Sequence, residues 1–176
     1  ITGFQKYKGG TRVTMLAGRQ ARGDYAVKDR INHAISGMLS SKPYDIQAAV
    51  ERLMSDRNDI KEQLVETKKK LFALKRDCLE KDTKCAVLFE DNMEPFDMRV
   101  LTETLLEKVP SAAVLCRDSD SGYRYCVGSR TADVQAFVKE ANKALEGRGG
   151  GRGAMAKGTF ASDAEAIERF IRNAMD

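Results

Sequence analysis

The strongest candidate for chemistry in this 176-residue chain is the segment 147–158, which has the sequence GRGGGRGAMAKG. It combines six glycines with Arg148, Arg152 and Lys157. Backbone N–H groups without side chains beside them can approach a phosphate closely, and cationic side chains neutralise its charge. The segment therefore predicts phosphate binding by a flexible loop. A P-loop is excluded, because Lys157 is preceded by alanine and followed by glycine, where that motif requires glycine and then serine or threonine. A disordered linker is the alternative interpretation.

Residues that could ligate a metal or act as nucleophiles are sparse. His33 is the single histidine, and no two cysteines form a CxxC pair. The cysteines are Cys78, Cys85, Cys116 and Cys126. Local spacing therefore predicts neither a zinc site nor a His-based catalytic triad. We expect Cys116 and Cys126 to be core thiols and His33 to lie on a helix surface. Cysteines this sparse favour reduced thiols and a cytoplasmic protein.

The net charge of +4 is distributed unevenly along the chain. Residues 1–40 carry seven basic and two acidic side chains, and residues 141–160 carry four basic side chains and one acidic. Two basic regions around a nearly neutral middle are typical of proteins that bind a polyanion such as nucleic acid, although lysine-rich solvated surfaces give the same composition. No apolar run approaches the roughly 20 residues that span a bilayer, so we expect no membrane span.

The first 18 residues predict a β-hairpin. The strands ITGFQKY and RVTMLAG flank a KGG turn, in which Gly9 and Gly10 permit a tight reversal. Because a two-stranded hairpin is marginally stable alone, we expect it to be the edge of a larger sheet. The start at Ile1, without methionine, predicts a piece of a longer protein. A helix is predicted from Arg19 to Leu39. Its expected buried side comprises Tyr25, Ile31, Ile35, Met38 and Leu39.

A second helix is predicted after Pro43, because apolar residues recur there at alternating steps of four and three. The positions of this heptad seam are Ile46, Val50, Leu53, Arg57, Ile60, Leu64, Thr67, Leu71, Leu74 and Cys78. One helix cannot bury such a stripe alone. Either the helix 19–39 folds back over it as an antiparallel hairpin, or a second chain covers it in a coiled-coil dimer. Arg57 and Thr67 weaken a two-stranded core and favour the hairpin.

Residues 85–176 predict a small α/β domain. Three strands are expected from the segments CAVLFE, SAAVLCR and YRYCVGS, with a turn at 118–122. Helices are expected after Pro95, over 133–145 and at the C-terminus, where Ser162 begins a capping box. The expected fold class is therefore α+β or α/β. It comprises an N-terminal β-hairpin, a long helical hairpin or coiled-coil spacer, and a small C-terminal α/β domain with a glycine-rich loop.

The segment GRGGGRGAMAKGTF precedes a terminal amphipathic helix and follows strand, helix, two strands and a helix. This arrangement resembles the DHH-associated domain that ends alanyl-tRNA synthetases and long stand-alone alanyl-tRNA editing proteins. The N-terminal FQKYKGGTRVTMLAGRQARGDY is similar to the last hairpin and following helix of their editing domain. The synthetases usually have RRIEA-TG where this chain has TRVTMLAG, so the stand-alone editing protein is the better match.

The resemblance implies that residues 1–18 end a truncated editing domain, that 19–82 form a helical spacer and that 85–176 form the DHH-associated domain. The implied function is a tRNA-binding module, specific for alanine tRNA, with a homodimer as a further expectation. Its parent would remove serine or glycine mischarged onto that tRNA through zinc held upstream, while this part would contain no catalytic residue or cofactor. The alternatives are the end of an ATP-dependent alanyl-tRNA synthetase and a purely structural dimerisation module.

The resemblance also implies which residues contact the nucleic acid. The candidates are Arg148, Gly149, Gly150, Gly151, Arg152 and Lys157 in the glycine-rich motif, and Lys6, Lys8 and Arg12 in the hairpin. Arg12 matches an arginine near the family's editing pocket, and the alternative is a solvated strand residue. The DHH phosphoesterases have a histidine where this chain has Arg152, which argues against phosphoester cleavage.

Overall fold

The computed structural model describes residues 1–117 and 122–175. Apart from Gly122, the predicted turn at 118–122 lies outside the described residues. The chain divides into two compact units, Ile1–Leu64 and Val65–Asp176. Over the described ranges, no helix is long and apolar enough to cross a membrane.

The first unit begins with the predicted β-hairpin. β1 (Gly3–Tyr7) pairs antiparallel with β2 (Gly10–Thr14), and Phe4 lies opposite Val13. Gly9 has a φ of +80°, a conformation that glycine adopts without steric cost, and this permits the tight turn. Phe4 and Val13 are 80% and 50% exposed, so the unit does not bury the apolar side of its own hairpin.

α1 (Gly18–Met38) agrees with the predicted helix, but the prediction of its buried side is wrong. Ser36 is the only buried residue of α1, all of which the structure describes. The predicted core residues Tyr25, Ile31, Ile35, Met38 and Leu39 are exposed or half-buried. An apolar stripe indicates which side of a helix favours a partner, but it does not supply that partner within the unit. The hydroxyl of Ser36 instead donates to the carbonyl of Ser41, in the connection to the next helix (2.5 Å).

α2 (Ile46–Asp77) is one continuous helix of 32 residues, about 48 Å long at 1.5 Å per residue. Its heptad seam is open in the single chain. The exposed apolar positions are Val50, Leu53, Ile60, Leu64, Leu71 and Leu74, at 39% to 65% exposure. α1 does not bury the seam, so the antiparallel packing of the two helices that was one of the predicted alternatives is absent from these two fully described helices.

The second unit is an α+β domain built on a five-stranded sheet. Its elements are β3 (Cys85–Glu90), α3 (Pro95–Leu105), β4 (Ser111–Arg117), β5 (Tyr123–Ser129), α4 (Val134–Ala144), β6 (Arg148–Arg152), β7 (Met155–Phe160) and α5 (Ala164–Met175). The strand order is β3-β4-β5-β7-β6; β3 and β4 are parallel and the other pairs are antiparallel. The predicted fold class is confirmed. The glycine-rich segment, however, is a pair of strands in the sheet and is neither a loop nor a linker.

Each face of this sheet carries its own apolar core. α4 and α5 lie against one face, where Tyr125 and Phe160 are buried. α3 lies against the other face, where Leu101, Cys116 and Cys126 are buried. The prediction that these two cysteines belong to the core is confirmed, because they are 0% and 6% exposed.

The C-terminal part of α2, from Val65 onward, belongs to the second unit and packs within it. Phe72 is 3% exposed and belongs to the apolar core beneath α3. Three ion pairs join α2 to other elements of this unit. Lys68 pairs with Asp97 of α3 (2.5 Å), Lys75 pairs with Glu90 of β3, and Arg76 pairs with Glu107, which follows α3. The ammonium group of Lys108 donates to the carbonyls of Asp77 (2.8 Å) and Leu79 (2.6 Å). A cation at this position complements the negative end of the helix dipole.

Carboxylates cap the last two helices of the domain. The side chain of Asp133 accepts from two backbone N–H groups at the start of α4, as the predicted helix start requires. The predicted capping box at Ser162 is wrong, since the carboxylate of Asp163 accepts from the N–H of Ala166 (2.8 Å) and α5 begins one residue later. A carboxylate accepts this hydrogen bond and also balances the helix dipole.

Candidate functional site

An open groove lies on the sheet face that carries α3. This helix packs against β4 and β5, while β7 and β6 extend beyond it. The groove between the first turn of α3 and the uncovered strands has a volume of about 890 Å³, within the range of ligand pockets. The helix contributes Pro95, Phe96 and Arg99 to its lining, and the strands contribute Arg124, Gly150, Gly151, Arg152, Lys157 and Thr159.

Strand register directs the basic side chains of three strands to this face. Directly paired residues of antiparallel strands project to the same side of a sheet. Lys157 pairs with Cys126, whose thiol lies in the core beneath α3. Thr159 of the same strand pairs with Arg124 on one side and with Arg148 on the other. The side chains of these residues therefore share the face of α3.

Arg152 belongs to the same face, because it pairs with Met155, which packs against the core beneath α3. Arg148, Arg152 and Lys157 are exposed, and none has an acidic partner among the described residues. The groove lining includes no described Asp or Glu. Arg99, in contrast, donates to Glu103 at 2.9 Å, and this hydrogen bond raises its pKa. The groove is consequently a region of uncompensated positive charge, suited to an anion.

The opposite face explains why the segment is rich in glycine. Gly149 and Gly158 pair with each other, and the ring of Tyr125 occupies the space that their side chains would need. A Cβ atom on Gly149 would lie 2.5 Å from the Tyr125 hydroxyl, and one on Gly158 would lie 2.2 Å from the carbonyl oxygen of Arg148. The Tyr125 ring also stacks on Phe160, with 4.1 Å between ring centroids. Burial raises the pKa of Tyr125 to about 12.

Helix α4 fixes the edge of the same segment. The amide of Asn142 donates to the carbonyl of Gly149 (3.1 Å), and the amide of Gln135 donates to that of Gly151 (2.6 Å). Gly150 pairs with Lys157 on the groove side and has open space where a Cβ would be. Gly149 and Gly151 therefore allow close packing of backbone, while the arginines and Lys157 supply the charge.

Sequence reasoning did not identify Arg124 and Phe96 as groove residues. Arg124 lies between two tyrosines in YRYC, and the alternation of that strand was the available signal that its side chain points away from the tyrosine face. Phe96 follows Pro95, which correctly marked the start of α3 but not what its first turn faces.

The remaining candidates, Lys6, Lys8 and Arg12, lie in the first unit and are not among the residues that line the groove. Lys8 and Arg12 lie over the ring of Tyr7, at 5.4 and 3.9 Å from its centroid, which are cation–π distances. Lys6 is exposed on β1. Within the first unit, this hairpin forms a basic surface around one tyrosine.

The described residues offer no ligand set for zinc. They include no cluster of three or more His, Cys, Asp and Glu side chains that could hold a metal. His33 is exposed on α1, as predicted, and its Nδ1 lies 2.9 Å from the carbonyl oxygen of Asp29. Burial raises the pKa of Cys126, which makes its thiol a weak nucleophile.

The groove and all five strands of its sheet lie within one recognised family segment. The family description "DHHA1 domain" matches residues 82–176, which is more than half of the chain. The chain belongs to the DHHA1 domain family. The resemblance drawn from the glycine-rich segment is thereby confirmed, and both β6 and β7 lie inside the DHHA1 domain.

Relatives of the whole chain include an alanine–tRNA ligase. The ligase from Granulibacter bethesdensis is 26% identical over 188 aligned positions, which cover 99% of this chain and 21% of the ligase. This chain thus spans about a fifth of that relative. Among solved structures, RecJ from Thermus thermophilus in complex with Mg²⁺ shares the fold at 17% identity, with a TM-score of 0.51 over 76% of this chain and 20% of RecJ. The C-Ala domain of Aquifex aeolicus alanyl-tRNA synthetase aligns at 19% identity over 53% of this chain and 92% of that domain, with a TM-score of 0.47.

Proposed function

We propose that this DHHA1 domain binds the sugar-phosphate backbone of tRNA through the groove. The observation that carries the proposal is that Arg148, Arg152 and Lys157 project from one open sheet face without acidic partners in the described structure. Phosphate contacts from such side chains hold and orient a nucleic acid without reading its bases. Similarity to an alanine–tRNA ligase supports tRNA, and alanine tRNA in particular, as the ligand.

We further propose that the module acts in the cytoplasm as part of a longer alanyl-tRNA editing protein. That protein would remove serine or glycine from mischarged alanine tRNA, with zinc held by its editing domain. The alternative is an alanyl-tRNA synthetase, and the alanine–tRNA ligase among the relatives keeps this alternative open. An ATP-dependent ligase domain on the same polypeptide would decide for the synthetase.

The direct test is the binding of alanine tRNA by the chain across a salt series. Replacing Arg148, Arg152 and Lys157 together with alanine is expected to weaken binding and to make the plot of log affinity against log salt shallower by about 2 to 3 units. The physical reason is that binding releases about one counterion for each phosphate that a cationic side chain neutralises, so a variant with fewer such side chains releases fewer counterions. Fluorescence anisotropy of labelled tRNA measures both quantities.

A matched control removes the same charge from the other side of the sheet. Lys139 and Lys143 of α4 and Arg169 of α5 are exposed and have no acidic partner among the described residues. Their triple alanine variant is expected to bind tRNA with a salt slope close to that of the wild type. Equal loss in both triple variants would show that net charge, and not the groove, binds the RNA.

We also propose that two chains associate through α2. The supporting observation is the uncovered heptad seam, in which Ile60 and Leu64 are 65% and 52% exposed in the single chain. Heptad spacing places such residues at the contact of two helices, and burial in a coiled coil would remove them from water. The seam positions Arg57 and Thr67 would then set the register of the pair.

Sedimentation equilibrium tests the association. Replacing Ile60 and Leu64 with glutamate is expected to shift the chain to monomer, because it places like charges in the seam. The control replaces Ser55 and Asn58 with glutamate, which adds the same charge to α2 outside the seam. If the wild type sediments as a monomer at high concentration, the proposed dimer is refuted, while the proposal of tRNA binding still stands.

A further inference from the structure

Phe96 is a large apolar side chain that the fold leaves in solvent at the groove. It is 73% exposed on the first turn of α3, whereas the buried side of this helix consists of Met98, Leu101, Thr102 and Leu105. Packing of the helix therefore does not require an aromatic residue at position 96. Pro95 begins the helix with a restricted φ, which fixes the direction in which the first turn presents its side chains.

The surroundings of Phe96 distinguish it from a scattered surface residue. Single exposed apolar side chains are ordinary on proteins. Phe96, however, lines the same groove as Arg152 and Lys157 on the strands. An aromatic ring beside cations without acidic partners is the combination that proteins use for single-stranded nucleic acid, whose bases stack on the ring while the backbone follows the charges. A regular duplex keeps its bases inside the helix and cannot use such a ring.

We propose that Phe96 stacks on an unpaired base of the RNA whose backbone lies in the groove. This inference rests on the proposed function and narrows its ligand to a segment with an accessible base, such as a loop or a chain end. The cations neutralise the phosphates and Phe96 binds the base, so the two contributions respond to different changes. Removing a cation alters the salt dependence of binding, whereas removing the ring weakens binding without altering that dependence.

The experiment compares three ligands on the full chain: a short single-stranded RNA that contains 2-aminopurine, the same sequence as a duplex, and inorganic polyphosphate. Phe96→Ala is expected to weaken binding of the single strand about tenfold and to leave polyphosphate binding unchanged. The wild type should quench 2-aminopurine fluorescence in the single strand, Phe96→Ala should not, and Phe96→Trp should restore the quenching. Phe4→Ala, which removes an exposed phenylalanine from the first unit, is the control and should bind as the wild type does.

The outcomes separate this inference from the proposed function. If the wild type binds neither RNA nor polyphosphate, the proposed function fails and the stacking contact with it. If the Arg148, Arg152 and Lys157 variant loses binding while Phe96→Ala retains full affinity and quenching, the stacking inference alone is overturned. Equal loss of RNA and polyphosphate binding in Phe96→Ala, or displacement of RNA by an apolar peptide without any quenching, would also overturn it.

Discussion

Gly158→Ala is expected to lower the free energy of unfolding of the second unit by about 3 kcal/mol or more. A Cβ atom at this position would lie 2.2 Å from the carbonyl oxygen of Arg148 and 2.8 Å from the ring of Tyr125. The neighbouring strand would have to move away, which would break the pairing of β6 with β7 and open the packing of Tyr125 on Phe160. Urea unfolding followed by circular dichroism measures the loss.

The adjacent strand supplies a matched control for this substitution. Gly150 has no atom within 4 Å of the position that a Cβ would occupy, so Gly150→Ala is expected to change stability by less than about 1 kcal/mol. Hydrogen exchange of the β7 amides should be faster in Gly158→Ala and unchanged in Gly150→Ala. Equal stability of the two variants would disprove the close approach of backbone described for β6 and β7.

Phe72→Ala is expected to destabilise the second unit by about 3 to 5 kcal/mol, the usual cost of removing a buried phenylalanine ring. Phe72 is the residue of α2 that enters the core beneath α3, and it is 3% exposed. The ion pairs of α2 with Asp97, Glu90 and Glu107 are partly exposed and cannot replace this apolar contact. In Phe72→Ala, hydrogen exchange relative to the wild type should therefore increase more for amides in the C-terminal part of α2 than for amides of β4.

Leu71 provides the comparison, because it immediately precedes Phe72 along α2 and is 47% exposed in the seam. At a protein concentration where the wild type is monomeric, Leu71→Ala is expected to cost less than about 1 kcal/mol. At concentrations where chains associate, the same variant should weaken association instead. Similar losses for Phe72→Ala and Leu71→Ala in the monomer would mean that α2 is not anchored through Phe72.

Sequence patterns predicted the helices and strands whose side chains show a regular apolar pattern or a helix-start signal. The strands of CAVLFE and SAAVLCR, the start of α3 at Pro95 and the long heptad helix all follow from local rules, and all are present. The strands β6 and β7 did not follow from these rules. Glycine has low strand propensity and shows no alternation, so the segment RGGGR has no strand signal of its own. It pairs because Tyr125, Asn142 and Gln135 pack against its backbone, and these are contacts between distant parts of the chain.

The same distinction applies to the candidate site. Composition singled out Arg148, Arg152 and Lys157, and the register of the sheet brings them to one face. Arg124 and Phe96 line the same groove as Arg152 and Lys157 only because β5 pairs with β7 and α3 packs on the same side. The buried side of α1 was predicted wrongly for a different reason. A periodic apolar stripe shows which side of a helix favours burial, but it does not show whether another element of the same chain covers that side.

β6 lies at the end of the strand order and therefore forms one edge of the sheet. A sheet edge with free backbone groups is a template onto which a strand of another molecule can add. Here two carbonyls of that edge, those of Gly149 and Gly151, already accept from side-chain amides of α4, and an arginine stands at each end of the strand. A covering helix and charged ends are devices that prevent strand addition. The β6 edge should therefore resist amyloid-like addition of strands, although its glycines have no side chains that would obstruct a pairing strand.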